Sequence, residues 1–228
     1  MKTYKTLLFD LDNTLLDFSA AEDIAFRKMV ADQGFSYSDT LKKDYQILNQ
    51  KLWQAYERGE KSRDEVVTTR FSLFFETLGK EVDGILLENR YRLYLEEGNQ
   101  LMDGALELVK ELSLRFDLYI VTNGVSETQD KRLKSSGLFP FFKGVFVSED
   151  TGFQKPMKEF FDWCFAKVPN IDIETTLIIG DSLSADIQGG INVGMDTCWI
   201  NPFKVKNTSA IQPTYEISHL NELRELLK

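Results

Sequence analysis

Leu7-Leu8-Phe9-Asp10-Leu11-Asp12-Asn13-Thr14-Leu15 is an apolar run that ends on one aspartate, with a second two residues later. Alternate residues of a strand face the same way. A strand that stops at Asp10 can therefore aim both carboxylates into one pocket at its C-terminal edge. Paired carboxylates there can hold a hard cation, attack an electrophile and shuttle a proton. Asp-x-Asp also recurs on solvated loops, so its meaning here depends on the residues further along the chain.

Working outward, residues 4–10 read as a buried strand, and the pattern then turns helical from about Phe18 to Gly98. Ala21, Ile24, Ala25, Met29 and Val30 keep helical spacing, with Gly34 as a stop. Leu41, Tyr45, Leu48, Leu52 and Tyr56 mark a second helix that closes at Gly59. Ser62-Arg63-Asp64-Glu65 has capping-box form ahead of a third. Ile85 to Leu95 forms a fourth. After Gly104 the rhythm alternates. Helices are predicted over Ala105–Leu114, from Ser126 (again with capping-box spacing) to Gly137, and over Met157–Val168, Ala185–Val193 and Leu220–Leu227. Strands are predicted over Phe116–Thr122, Gly144–Ser148, Thr175–Gly180 and Met195–Ile200. Apolar strands alternating with helices indicate a parallel sheet covered on both faces. The expected organisation is an α/β core of residues 1–17 and 99–228, interrupted after its first strand by an α-helical insert, residues 18–98.

Composition narrows the chemistry. With 43% hydrophobic residues, 17 of them Phe, the 228-residue chain can bury a sizeable core. A net charge of −9 argues against a nucleic-acid polymer or an anionic membrane as partner. It leaves room for a small phosphorylated metabolite, since a local cation and a few amides outweigh the global sign. Cys164 and Cys198 sit in apolar stretches without metal-ligand spacing, which predicts reduced core thiols and a cytoplasmic setting. No run approaches a transmembrane helix. The single histidine, His219, lies in a C-terminal segment. A Ser-His-Asp or Cys-His hydrolase needs a histidine beside its nucleophile, so any catalysis is expected to rest on carboxylates and lysine.

In open α/β sheets ligands bind beyond the C-terminal ends of the strands. Four groups fall at such junctions: Asp10 and Asp12; Thr122-Asn123-Gly124; Lys155-Pro156; and Gly180-Asp181-Ser182-Leu183-Ser184-Ala185-Asp186. With these four motifs in order, the chain resembles the haloacid dehalogenase-like (HAD) hydrolase superfamily. The insert directly after motif one resembles its helical-cap branch. The resemblance implies a Rossmann-like core and a magnesium cofactor. It makes Asp10 a nucleophile that forms an aspartyl-phosphate, and Asp12 the general acid and base. It implies magnesium held by the Asp10 carboxylate, the Asp12 backbone carbonyl and Asp181, with Asp186 in support. Thr122, Asn123, Gly124 and Lys155 would bind the phosphoryl group, with Lys155 also serving the nucleophile. Dehalogenase members lack a carboxylate at the position of Asp12, so Asp12 favours phosphate esters.

Asp10-Leu11-Asp12-Asn13-Thr14-Leu15-Leu16-Asp17 and Leu52-Trp53-Gln54-Ala55-Tyr56-Glu57-Arg58-Gly59 are similar to bacterial pyrimidine 5′-nucleotidases of that branch. The leading expectation is therefore a magnesium-dependent phosphatase acting on a nucleoside 5′-monophosphate. A sugar-phosphate or phosphoglycolate phosphatase is the alternative within enzymes, and a regulatory binding protein on the same fold the alternative outside them. In the insert, the turn from Glu57 to Ser62 is expected to contact the leaving group through Arg58 or Lys61, with Trp53 or Tyr56 as a stacking surface for a base.

Overall fold

The computed structural model describes Lys2–Lys228. Its first strand, β1 (Thr6–Phe9), is buried along its whole length. The strands that come after it are β2 (Asp117–Thr122), β3 (Gly144–Val147), β4 (Thr176–Gly180), β5 (Asp196–Ile200) and β6 (Tyr215–Ile217). They form one parallel sheet in the order β3-β2-β1-β4-β5-β6. Leu8 of β1 is in register with Tyr119 of β2 on one side and Ile178 of β4 on the other. The chain builds outward through β2 and β3, then crosses β1 to begin β4. The topological switch thus lies between β1 and β4, where such sheets open a crevice at their C-terminal edge.

The chain divides into two compact units, one made of the residues through Asp17 with Asn99–Lys228, the other Phe18–Gly98. The second holds α1 (Phe18–Asp32), α2 (Asp39–Glu57), α3 (Arg63–Glu76) and α4 (Gly84–Glu96). The sheet unit holds α5 (Ala105–Leu112), α6 (Ser126–Ser135), α7 (Ser148–Thr151), α8 (Lys158–Phe165), α9 (Gln188–Asn192) and α10 (Leu223–Leu226). This is an α/β fold with an inserted helical unit.

Strand alternation explains two hydrophobic layers in the sheet unit. Leu7, Phe9, Leu118, Ile120, Leu177 and Ile179 pack into one core with Leu108, Val109 and Leu112 of α5 and Leu223. Leu8, Tyr119, Val121 and Ile178 pack into another with Phe160, Phe161 and Cys164 of α8. Each such large side chain, fully buried, contributes about 1.5–3 kcal/mol. With both faces covered, the strands read as continuous apolar runs, and their C-terminal ends are where polar groups can collect.

The helical unit is built around rings. Phe26, Tyr45, Phe71, Phe74 and Tyr91 are buried together, and Tyr45 stacks on Phe71 with centroids 5.5 Å apart. Beside them Arg70 and Glu88, both buried, form a two-pronged ion pair at 2.7 and 2.9 Å. The Ser62 capping box forms as expected: its hydroxyl accepts from Glu65 N at 3.1 Å, and Glu65 reaches back to Ser62 N at 2.8 Å.

Several sequence expectations are corrected. Ile24, counted in the apolar stripe of α1, is 42% exposed. Strand β6 escapes notice because it has three residues with an exposed glutamate in the middle, a composition suited to a sheet edge. The expected helix from Ala185 instead begins with a π-turn, Leu183–Ile187, that runs into α9. The expected terminal helix starts as a 3-10 turn, Leu220–Glu222. Ser126 makes no capping box, since the N-cap of α6 is Val125. The Ser126 amide is capped by Glu149 of α7 at 2.7 Å, and its hydroxyl bonds Asp150 at 2.7 Å. A long-range carboxylate does there what the local spacing suggested a neighbour would do.

Candidate active site

Asp10 emerges directly from β1 with its backbone amide still donating to Ile179 of β4 at 2.9 Å. Its carboxylate is therefore delivered at the switch point. Lys155, 1% exposed, meets it there. The Lys155 ammonium donates to Asp10 Oδ1 at 2.7 Å, Asp186 Oδ1 at 2.6 Å and the Val121 carbonyl at 2.7 Å. An ammonium has three hydrogens, and each has a protein acceptor. Lys155 thus acts here as the hub of the cluster, and a direct bond to a bound phosphoryl group would require one of these to be exchanged.

The hub is held from behind. Asn123 Oδ1 accepts from Lys155 N, and Asn123 Nδ2 donates to Lys155 O, both at 2.9 Å. In this structure Asn123, expected at the phosphate, clamps the lysine's own peptide. Asp186 is fixed likewise, with Oδ2 accepting from Ser182 N at 3.0 Å. Ser182 in turn caps the π-turn, its hydroxyl accepting from Ala185 N at 3.1 Å. Gly180 makes this close approach feasible, because a Cβ there would lie 2.7 Å from Asp186 Cβ and nearer still to its carboxylate. Trp199 of β5 holds the Asp181 carbonyl at 2.8 Å.

Electrostatics reflect the crowding. Burial, opposed by Lys155 and reinforced by Asp186 and Asp12, pushes the Asp10 carboxyl up to about 7. Burial, with Asp10 and Asp186 beside it, raises Asp181 well above the ordinary carboxylate range. Burial works against the charged form of Lys155, yet Asp10 and Asp186 hold it above its ordinary value. Carboxylate oxygens of Asp10, Asp181 and Asp186 lie within 4.8 Å of one another, three acids around one lysine. This all-oxygen set with surplus negative charge suits a hard divalent cation such as magnesium.

Asp12 stands in a tight turn. Leu15 N and Leu16 N both donate to Leu11 O, at 3.0 and 2.9 Å, and Asn13 N donates to Leu16 O at 2.7 Å. Asn13 adopts φ +58°, a conformation in which asparagine is enriched. Two side chains that the sequence did not single out hold the Asp12 carboxylate: Arg132, 2.5 Å from Oδ1, and Gln129, 2.8 Å from Oδ2. Gln129 also donates to Thr122 Oγ1 at 3.0 Å. Their signal was faint, because α6 is polar throughout and its sequence reads as a solvated helix. The helical spacing of Thr128, Gln129, Arg132 and Leu133, all buried, was the available clue.

Within the helical unit the expected selectivity residues are engaged locally. Arg58 forms a two-pronged pair with Glu60 at 2.6 and 2.7 Å in its own turn. Tyr56 is 5% exposed, packed with Leu52 and Val66 and edge-on to Trp53 at 5.7 Å. It is not a free stacking surface. Trp53 is only partly buried and Lys61 half-exposed.

Cys164 and Cys198 are both buried free thiols. Among the described residues no helix is long and apolar enough to cross a membrane.

Comparison with known proteins agrees with the motif order. Residues 4–194 match the model of the haloacid dehalogenase-like hydrolases. The chain is 58% identical over 227 residues to the HAD-hydrolase YfnB of Bacillus subtilis (strain 168), covering 100% of this chain and 97% of that protein. A magnesium-bound crystal structure of YfnB superposes with a TM-score of 0.96, at 57% identity and 99% coverage of each chain. The pyrimidine 5′-nucleotidase PynA of Streptococcus pneumoniae (strain ATCC BAA-255 / R6) is 44% identical over 225 residues, 98% of this chain and 95% of that one. YjjG of Escherichia coli (strain K12), also a pyrimidine 5′-nucleotidase, is 33% identical over 221 residues, 97% and 96% of the two chains.

Proposed function

The chain belongs to the haloacid dehalogenase-like hydrolases, and we propose that it is a magnesium-dependent phosphatase of small phosphate monoesters, with pyrimidine nucleoside 5′-monophosphates as its substrate class. The observation that carries the reading is the set of buried Asp10, Lys155 and Asp186 with partly buried Asp181 at the switch point, and a second carboxylate, Asp12, two residues beyond the first. The names of PynA and YjjG support the nucleotide assignment.

In this reading Asp10 is the nucleophile. Lys155 holds its Oδ1 and so fixes the plane from which Oδ2 meets phosphorus. The P–O bond to the ester oxygen breaks as the Asp10 oxygen–phosphorus bond forms, and Asp12 gives the departing alcohol its proton. Asp12, now a carboxylate, takes a proton from water. That water attacks the aspartyl-phosphate, releasing phosphate and restoring Asp10. Thr122 and the Gly124 amide are the phosphoryl contacts, and Asn123 serves them through Lys155. Asp10, Asp181 and the Asp12 carbonyl would hold magnesium, which would supply positive charge to the phosphoryl group, and Asp186 supports the set by anchoring Lys155. Phosphoryl transfer depends mainly on such positioning and charge stabilisation.

The test is turnover of a panel of pyrimidine and purine 5′-monophosphates, sugar phosphates and phosphoglycolate, with Asp10→Asn as control. Preference for pyrimidine nucleotides, lost with Asp10→Asn, is expected. Preference for a sugar phosphate would replace the substrate class, and turnover retained by Asp10→Asn would overturn the mechanism.

A further inference from the structure

Helix α6 carries a buried polar pair that the mechanism above does not use. Gln129 is 2% exposed and Arg132 1%, three residues apart on one helical face. Arg132 Nη1 donates to Asp12 Oδ1 at 2.5 Å and to Gln129 Oε1 at 3.2 Å. Gln129 Nε2 donates to Asp12 Oδ2 at 2.8 Å and to Thr122 Oγ1 at 3.0 Å. Each oxygen of the Asp12 carboxylate thus has its own donor. The Asp12 side chain is still 27% exposed, so it is gripped on one side and open on another.

Burying a guanidinium is costly unless it is paired and hydrogen-bonded. An apolar pair on this face would serve packing alone at lower cost. Gly124 supplies an independent mark of the same arrangement. A Cβ there would fall 2.6 Å from three atoms of the Gln129 side chain, so the missing side chain at Gly124 leaves room for the amide on its way to Asp12. The glycine that sequence assigned to the substrate also makes room for a protein side chain.

We propose that Gln129 and Arg132 are positioning residues for Asp12, setting the orientation from which it serves the leaving oxygen, with Gln129 coupling that orientation to Thr122. This rests on the phosphatase reading and deepens it. A positioned side chain gains its proton-transfer advantage from geometry first. The pair therefore matters in proportion to how much the leaving group needs a proton. p-Nitrophenolate departs without one, whereas an alkoxide does not.

The experiment measures kcat/KM, which reports steps through departure of the leaving group, for p-nitrophenyl phosphate and for the best alkyl phosphate of the panel. It uses full-length wild type, Arg132→Met, Gln129→Met, Arg132→Lys, Asp12→Asn and the double variant Asp12→Asn/Arg132→Met. Arg132→Met is expected to lose roughly 10- to 100-fold more on the alkyl than on the aryl ester, a fraction of the roughly 10²–10⁴-fold that general acid–base catalysis contributes, as suits a residue that positions the acid without replacing it. Gln129→Met should show the same bias, Arg132→Lys should recover part of it, and the double variant should be no slower than Asp12→Asn. Equal losses on both esters, or losses that multiply with Asp12→Asn, would overturn the proposal. Thermal melts establish that each variant folds. If Arg132→Met does not, Gln129→Met decides the question on the same criterion. A wild type that turns over p-nitrophenyl phosphate and shows the leaving-group bias only in Asp12→Asn keeps the phosphatase reading and refutes this one. A wild type inert on every phosphate removes both.

Discussion

Gly180→Ala is the smallest change that tests whether the lysine hub organises the site. The added methyl would stand 2.7 Å from Asp186 Cβ and closer to its carboxylate, against an ordinary carbon–carbon contact of about 3.5–4.0 Å. Gly180 closes β4 in register with Trp199, so the backbone has little room to yield and Asp186 must move. At 1% exposure it has no route to water. Moving it breaks the bonds to Lys155 at 2.6 Å and Ser182 N at 3.0 Å. Hydrogen bonds to charged groups are worth about 1.5–3 kcal/mol each, giving a loss of about 3–6 kcal/mol. For a chain of this size that lowers Tm by at least about 6 °C. Calorimetric melts with phosphatase assays on the same samples measure both consequences, and turnover should fall with Tm. Because the three nearest atoms all belong to the Asp186 side chain, its Cβ included, Gly180→Ala/Asp186→Gly should melt no lower than Asp186→Gly alone. A Gly180→Ala protein that melts within about 2 °C of wild type and keeps its activity would refute the reasoning.

Two further outcomes are expected. Magnesium should raise Tm by an amount equivalent to about 2.7 kcal/mol at a hundredfold excess over its Kd. The increase should vanish in Asp181→Asn, and an equal increase in that variant would place the cation elsewhere. In the helical unit, Asp23 accepts from Arg27 at 2.7 Å and Tyr37 at 3.0 Å and pairs with Lys42 at 2.6 Å. Although burial works in the other direction, these partners hold its carboxyl down to about 2. A depressed folded value means the stabilisation is present above the unfolded carboxylate range, near pH 4, and is lost as pH falls toward 2. Wild type should therefore lose more Tm than Asp23→Asn between pH 4 and pH 2, and identical acid profiles would contradict the assignment.

Legibility in the sequence depends on where each residue sits. Asp10 and Asp181 stand directly beyond β1 and β4, where an apolar run stops on a polar group, and Lys155 and Asp186 lie on the segments that follow β3 and β4 at the same edge. The helices of the insert were legible because Ala21, Ala25 and Met29, and then Leu41, Tyr45, Leu48 and Leu52, recur at helical spacing. Gln129 and Arg132 were not, because polar residues on a polar helix look the same whether they face water or a carboxylate. The role of Asn123 was hidden for a related reason. Its amide satisfies both backbone groups of a residue 32 positions away, and no local pattern encodes that partner. The π-turn at Leu183 shifts register without altering composition, so hydrophobic periodicity passes over it. At Ser126 the local pattern misled, since a carboxylate from α7 had already taken the amide.

The place of β1 in the sheet has a consequence for how the chain emerges from the ribosome. The strand that ends up innermost is made first, yet its hydrogen-bonding neighbours begin at Asp117 and Thr176. Synthesis at about 5–20 residues per second leaves both of its edges unsatisfied for several seconds to half a minute. Meanwhile the insert, complete by Gly98 and endowed with its own aromatic core, has all its core-forming partners in hand. Thr6-Leu7-Leu8-Phe9 is thus a nascent segment with two open sides and no early partner, the kind of stretch that holding chaperones bind. Ribosome-stalled chains should release it only once β4 has cleared the exit tunnel.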